Sequence, residues 1–529
     1  MSGLPAGWVG LPFGETVQIQ KGKKPFDLGG RNTLRTIPYI NIAAFEKKGI
    51  AEYAPIQNVP SCNETDTLLV WDGARAGLAG RGLAGYIGST LTRINSDLIT
   101  PELLFYFVSS KYDELNSRTK GVGIPHIDPT VFNGLKFALP PAAEQTRIVA
   151  KLDALLSELD AGVAQLKAAQ KKLVQYRQSL LKAAVEGTLT ADWRAQQKTV
   201  RPEPVEGQLI AGGSTRSPRT DLYGETGGQF LERILTDRRS RWQAKQLAKY
   251  TAQGKPPPKD WQSKYPEPVQ PDTTDLPALP QGWVWASVDC LLSDIETGKS
   301  FKCDERPPRA SEIGVVKVSA VSWGEYDEQE SKTCTVEDNI NPDLFVKTGD
   351  FLFSRANTVE LVGACVIAQS VLLNVMLSDK ILRLVLVQDD LKPWLLYLLR
   401  SQVGRLQIEM LASGNQESMK NIGQERIRSI AIPIGPHLEI IEAMHLAEEG
   451  FSQADLLRNN FEIALKQSAA QRKNILKAAF AGKLVPQDPS DEPASALLAR
   501  IKTDRDAQRE HSSKSTRKSP RLMRGKAVK

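Results

Sequence analysis

Cysteine, histidine and long apolar runs are all scarce in this chain, and each shortage removes a class of chemistry. The five cysteines, Cys62, Cys290, Cys303, Cys334 and Cys365, include no closely spaced pair. That excludes a zinc knuckle and a disulfide framework, and reduced thiols are expected. There are four histidines, His126, His437, His445 and His511. His437 and His445 are eight apart on a helix expected to start near Pro436, where zinc ligation wants three or four, so they read as solvated surface groups. The most apolar stretch, Val362 to Leu377, is broken by Gln369, Ser370 and Asn374 and falls short of the roughly 20 residues a bilayer span needs. No membrane partner is expected. The start, MSGLPAGWVG, lacks the basic segment and apolar core of a secretory leader, so the expected location is the cytoplasm.

Catalytic constellations are missing as well. ETGKS at Glu296–Ser300 resembles the end of a phosphate-binding loop, but Ser293 stands where its first glycine belongs, so a turn at a strand edge is expected. No [DN]PP[FYW] tetrapeptide occurs, which excludes an amino-methyltransferase acting alone. Neither Pro271-Asp272 nor Pro342-Asp343 is followed within about 30 residues by the acidic-x-lysine of a magnesium nuclease. The expectation is a non-catalytic chain with no catalytic residue, metal site or cofactor of its own. A one-sided charge is also absent: the net +7 is supplied by Arg509–Lys529, with eight Lys or Arg and one Glu, and the remainder is near neutral. Binding to nucleic acid must therefore be argued from local patches.

What the chain does contain is itself, twice. LPAGW at Leu4–Trp8 returns as LPQGW at Leu279–Trp283, KAAVEGTL at Lys182–Leu189 as KAAFAGKL at Lys477–Leu484, and LERILTDR at Leu231–Arg238 as LARIKTDR at Leu498–Arg505. Three matches in one order mark a tandem repeat whose interiors have diverged. Each copy opens with short β-rich runs: YINIAAF at Tyr39–Phe45 and TLLVW at Thr67–Trp71 in the first, FLFSR at Phe351–Arg355 and ILRLVLV at Ile381–Val387 in the second. A helix with an early proline follows, from Pro101 or Pro393, and then a proline-bearing exit, ALPPAAEQ or AIPIGPHLE, into a long helical segment.

In the first long helix, Ile148, Leu152, Leu155, Leu159, Gly162, Leu166, Ala169, Leu173, Tyr176 and Leu180 step by four and three, the seam of a coiled coil. The matching seam, Ala443, Ala447, Gly450, Ala454, Leu457, Phe461, Ala464, Ser468, Gln471 and Ile475, is smaller, so the two helices are predicted to pair with each other. The 33 residues from Ile148 to Leu180 would make a rod of roughly 50 Å.

The predicted fold is α+β: two globular domains joined by two long antiparallel coiled-coil helices in a pseudo-two-fold tandem repeat. The divisions are 1–143 (first recognition domain), 144–190 (first long helix), 191–278 (connector with a helical segment at Phe230–Tyr250), 279–435 (second recognition domain), 436–485 (second long helix), 486–508 (C-terminal helical segment) and 509–529 (basic disordered tail). Two readers on a stiff strut suit a split DNA site. A coiled-coil scaffold linking two protein-binding globules is the alternative, and it does not account for the Lys, Asn and Arg in glycine-rich turns of both copies.

The LPxGW starts, ALPPAAEQ, the two KAAxxGxL helix ends and the QLAKY-GKPPPKDW connector together resemble the specificity subunit of type I restriction-modification systems, over about residues 1–505. The resemblance implies double-stranded DNA as a partner, two modification subunits that bind S-adenosylmethionine and methylate adenine, and restriction subunits that use ATP and Mg, in a bacterial or archaeal cell. AIPIGPHLE departs from the pattern, with Glu439 as the counterpart of Glu144.

Arg, Lys, Asn and Gln read base edges, and any placed cation can take a phosphate. The first globule's candidates are Lys21, Lys23, Lys24, Asn41, Arg75, Arg81, Lys120 and His126. Those of the second are Lys299, Lys302, Lys317, Arg355, Asn357, Asn415, Gln416 and Lys420. Residues 276–435 hold 16 Lys or Arg against 21 Asp or Glu, so weak DNA affinity is expected of the isolated chain.

Overall fold

The computed structural model describes residues 3–47, 49–121, 123–199, 224–416 and 419–504; the basic tail and residues 200–223 of the connector lie outside them. Contacts divide the chain into two compact units, Met1–Ala168 with Phe461–Lys529, and Ala169–Asn460. The division falls inside both long helices, Ala142–Val185 and His437–Phe480, each of 44 residues. Each unit therefore holds one globule, the near half of its own long helix and the far half of the other repeat's. No helix of the described residues is long and apolar enough to cross a membrane.

The first globule contains β1 (Val9–Pro12), β2 (Gln18–Lys21), β3 (Ile37–Ile40), β4 (Tyr53–Ala54), β5 (Ser61–Cys62), β6 (Thr67–Val70), β7 (Ala79–Gly80), β8 (Gly85–Ile87), β9 (Leu91–Asn95) and β10 (Lys136–Leu139). They form sheets ordered β2-β9-β6-β7, β4-β3-β8-β5 and β1-β10. The run YINIAAF is extended only to Ile40, because the Asn41 carboxamide accepts the Ala44 N–H at 3.1 Å and starts the helix Ile42–Lys47. Phe13, Phe107, Phe132 and Phe137 fill the core with rings tilted or edge-on, at centroid distances of 4.7 to 6.1 Å.

The second globule repeats the plan with β11 (Val284–Ser287), β12 (Leu292–Thr297), β13 (Ile313–Val316), β14 (Ser331–Thr333), β15 (Phe351–Ser354), β16 (Ala356–Asn357), β17 (Cys365–Ile367), β18 (Asn374–Met376), β19 (Ile381–Leu386), β20 (Ser413–Gln416), β21 (Met419–Asn421) and β22 (Ala431–Ile434). Its sheets run β12-β19-β15-β17, β14-β13-β18, β16-β21-β20 and β11-β22. Glu296 and Thr297 end the edge strand β12, so ETGKS lies at a strand edge, in part strand where a turn was expected. The connector's helix, Gly227–Ala252, lies in this unit, with Phe230 and Ile234 fully buried and a capping box at Thr226 and Gln229.

Within each unit the long-helix segments run antiparallel. In the first, Ile148, Leu152 and Leu156 share a core with Ile475, Leu476 and Ala479, and Asp160 pairs with Arg472. In the second, Leu180 lies over Gly450, and Arg177 meets Asp455 at 2.7 Å. Among the seam positions Leu152, Leu180 and Ile475 are buried, and Leu155, Leu159, Leu166, Leu173 and Phe461 are half-buried. Leu457 corrects the expected pattern, since it is 45% exposed. Three residues beyond the buried Ala454 fall about 60° short of a full turn, which puts Leu457 on the flank of a two-helix stripe. Leu156, which the pattern skipped, is buried because the globule covers that flank.

The recurring motifs meet in one joint per unit. In the first, Trp8 donates its indole N–H to Glu144 Oε2 at 2.8 Å, and its ring lies against Gly482, which ends the second long helix at φ 66°. In the second, Trp283 lies against Gly187, which ends the first long helix at φ 69°, and Glu439 accepts from Thr190 at 2.7 Å and from Arg194 at 2.8 Å. A β-carbon is disfavoured at that φ, so glycine lets each helix stop where the tryptophan must pack. The helix bearing each L-x-R-I motif is tied in too: Ala494 N–H bonds Gly7 O at 2.9 Å, and Gly227 N–H bonds Gly282 O at 2.7 Å.

Candidate nucleic-acid interface

In the first globule β2 ends at Lys21, whose ammonium meets Asp72 at 2.9 Å. Asp72 is bridged through its main chain to His126, and His126 in turn to Lys120. Lys120 reaches Asp128 at 2.8 Å. Lys21 thus shares one surface with Lys120 and His126, two candidates far from it in sequence. Hydrogen bonds from Lys120 and from the Thr130 N–H hold the Asp128 carboxyl below its ordinary range, so this pair stays ionised as pH falls into the acid region and is lost only below the depressed pKa.

The other first-globule candidates divide. Lys23 and Lys24 are exposed on the turn after β2, and among the described residues their side chains make no ion pair or hydrogen bond. Asn41 is occupied by its capping bond and by donation to Glu52 at 3.2 Å, so packing accounts for it. Arg81 is likewise spent, paired with Glu102 at 2.7 Å and lying over the Phe105 ring. Arg75 is exposed on the turn where Leu78 N–H bonds its carbonyl at 3.0 Å.

In the second globule Arg355, Asn357 and Lys420 come together where β16 pairs with β21, in the register Ala356 to Asn421 and Asn357 to Lys420. Arg355 Nε donates to Asn421 Oδ1 at 3.3 Å, and Lys420 Nζ to Gly414 O at 2.8 Å. Asn415 and Gln416 lie in β20 beside them by backbone position. Lys317 is tied back to Glu305 O at 3.0 Å. Lys299 and Lys302 are exposed, and among the described residues their side chains make no ion pair or hydrogen bond. The acidic balance of this globule is partly consumed internally: Asp350 and Glu296 hold the nearly buried Arg383, and Asp289 holds Arg238 and Arg428.

One histidine is corrected. His437 is not a solvated surface group: its ring stacks on Phe230 at 4.4 Å and its Nε2 meets Asp390 at 3.1 Å, because the connector helix folds onto the start of the second long helix. His445 is exposed beside Glu449, and His511 lies outside the described residues. Sequence reading also missed Asn421, whose residue type at a strand end was the available signal.

Residues 5–168 match the family model described as the type I restriction modification DNA specificity domain. The specificity subunit of the type I restriction enzyme EcoEI from Escherichia coli is 26% identical over 435 residues, covering 79% of this chain and 71% of that protein. The MjaVIII specificity subunit of Methanocaldococcus jannaschii is 30% identical over 204 residues, covering 36% of this chain and 48% of that protein. A solved chain, from work on complex assembly and conformational transition of the type I R-M system, matches in fold with a TM-score of 0.56 at 18% identity, covering 91% of this chain and all of that one.

Proposed function

We propose, on the premise that the chain belongs to the specificity subunits of type I restriction-modification systems, that each of its globules reads one half of a bipartite DNA site and that the paired long helices fix the gap between the halves. Two modification subunits carry S-adenosylmethionine and methylate adenine, and restriction subunits use ATP and Mg, in the cytoplasm of a bacterial or archaeal cell. This chain supplies recognition and no catalytic group. The observation that carries the reading is the joint built twice, from Trp8, Glu144 and Gly482 and from Trp283, Glu439 and Gly187, beneath surfaces whose residues differ. A scaffold needs the joint, but it has no need of different side chains on one backbone frame.

The test is a titration of the purified chain with duplex DNA, alone and with its modification subunits. The second globule is net acidic, and free lysines are few, so the chain alone should bind weakly and the complex tightly and specifically. Sub-micromolar specific binding by the chain alone would contradict the division of labour. Absence of any sequence preference in the complex would contradict the reading itself.

A further inference from the structure

The two globules can be matched position by position from main-chain hydrogen bonds. Trp71 N–H bonds Thr90 O at 2.8 Å and Trp71 O accepts from Ile127 at 2.9 Å; Arg355 N–H bonds Lys380 O at 2.9 Å and Arg355 O accepts from Ile422 at 2.9 Å. Trp71 therefore corresponds to Arg355, and His126 to Asn421. The strand pairs give the same frame, since Val70 faces Leu91 and Ser354 faces Ile381. Lys21 faces Thr92 and Thr297 faces Leu382, so Gly22 corresponds to Gly298 and Lys23 to Lys299.

At the glycine of each pair the chain runs against a carbonyl. A β-carbon on Gly22 would lie 2.2 Å from Gly88 O, and one on Gly298 would lie 1.8 Å from Leu377 O. Only glycine fits. The peptide that carries the next side chain is thus placed by main chain against main chain in both globules, with Gly22 N–H on Leu91 O at 2.9 Å in one and Gly298 N–H on Ser378 O at 3.1 Å in the other, and that side chain is lysine in both. The neighbouring positions of the frame differ: Gly73 against Asn357, Pro125 against Lys420, and His126 against Asn421.

We propose that Lys23 and Lys299 are one device in two copies, a lysine that contacts a DNA phosphate at each half-site, and that base discrimination lies in the neighbouring positions where the copies differ. The proposal rests on the reading given under Proposed function. A phosphate contact is needed at both halves and carries no sequence information, so it can stay the same while the readers diverge. Lysine suits it, as a point charge on a flexible stem. Both ammonium groups are exposed and without a partner among the described residues, whereas Lys21, Lys120, Lys317 and Lys420 are already held. In the second globule the differing set contributes Asn357 and Asn421, a residue type whose carboxamide N–H groups read base edges.

The experiment measures DNA affinity against salt, and the methylated sequence, for the complex with its modification subunits carrying Lys23→Ala, Lys299→Ala, both, or the Arg equivalents. Each alanine should weaken specific and nonspecific binding alike, by about ten-fold. It should also make the slope of log affinity on log salt shallower by about one, leave the methylated sequence unchanged, and be restored by arginine. A changed half-sequence, an unchanged salt slope, or an effect confined to one globule would overturn the proposal. A wild-type complex without sequence preference would instead overturn the reading it rests on.

Discussion

Exchanging residues 1–143 for the matching part of a relative should, on the proposed reading, change one half of the methylated sequence and leave the other half, and the gap, as they were. The cluster of Lys21, Asp72, Lys120 and His126 lies wholly inside the exchanged segment. The cluster of Arg355, Asn357, Lys420 and Asn421 lies wholly outside it. The exchange cuts through the joint, however, since Trp8 is exchanged and its partners Glu144 and Gly482 are retained. A donor that keeps a tryptophan in an LPxGW start should therefore give a folded hybrid, and one that lacks it should not. Sequencing of methylated adenines in a host carrying the hybrid checks this. A change in both halves, or in neither, would show that the globules do not read independently.

Trp8→Ala has the second large effect expected, on stability. The ring is 7% exposed, closes the first unit's joint against Gly482, and gives its N–H to a carboxylate that is itself buried. Truncating a buried tryptophan costs about 3 to 5 kcal/mol. The loss is compounded because, among the described residues, Glu144 keeps only Gln487 as a side-chain donor, at 3.2 Å, and an under-satisfied buried carboxylate is costly. The matching tryptophan separates the two contributions. Among the described residues the Trp283 indole N–H has no hydrogen-bond partner, and Glu439 accepts from Thr190 and Arg194 instead. Trp8→Phe should therefore destabilise by about 1 to 3 kcal/mol more than Trp283→Phe. Hydrogen exchange resolved by unit is the suitable measurement, because a chain of two units need not unfold in one step. Equal losses would show that the Trp8 bond to Glu144 contributes nothing.

The anchors were legible in the sequence because each is a place where few residues fit: glycine at a helix end with positive φ, tryptophan over it, proline at a helix start. The long helices were legible because heptad spacing is periodic. That the anchors meet was not legible, since recurrence carries no distance, and a local pattern cannot say that Trp8 packs on the helix of the other copy. The seam also misled where neighbours differ along its length. Leu457 is 45% exposed, whereas Leu156 is covered by the globule's core, and neither circumstance is written in a heptad. Among the reading candidates, residue type found the lysines and asparagines but could not show which were already spent. Asn41 is a cap and Arg81 is an ion pair with Glu102. Pairing depends on residues distant in sequence, and that is what the fold supplies.

The central claim is that the length of the helix pair fixes the spacing of the two reading surfaces. Removing one heptad from each long helix, at matched positions of the seam, should shorten the pair by about 10 Å while keeping its register. The gap between the two methylated half-sequences should then contract by roughly three base pairs, with both half-sequences unchanged. An active variant whose methylated sites keep the original gap would contradict the account.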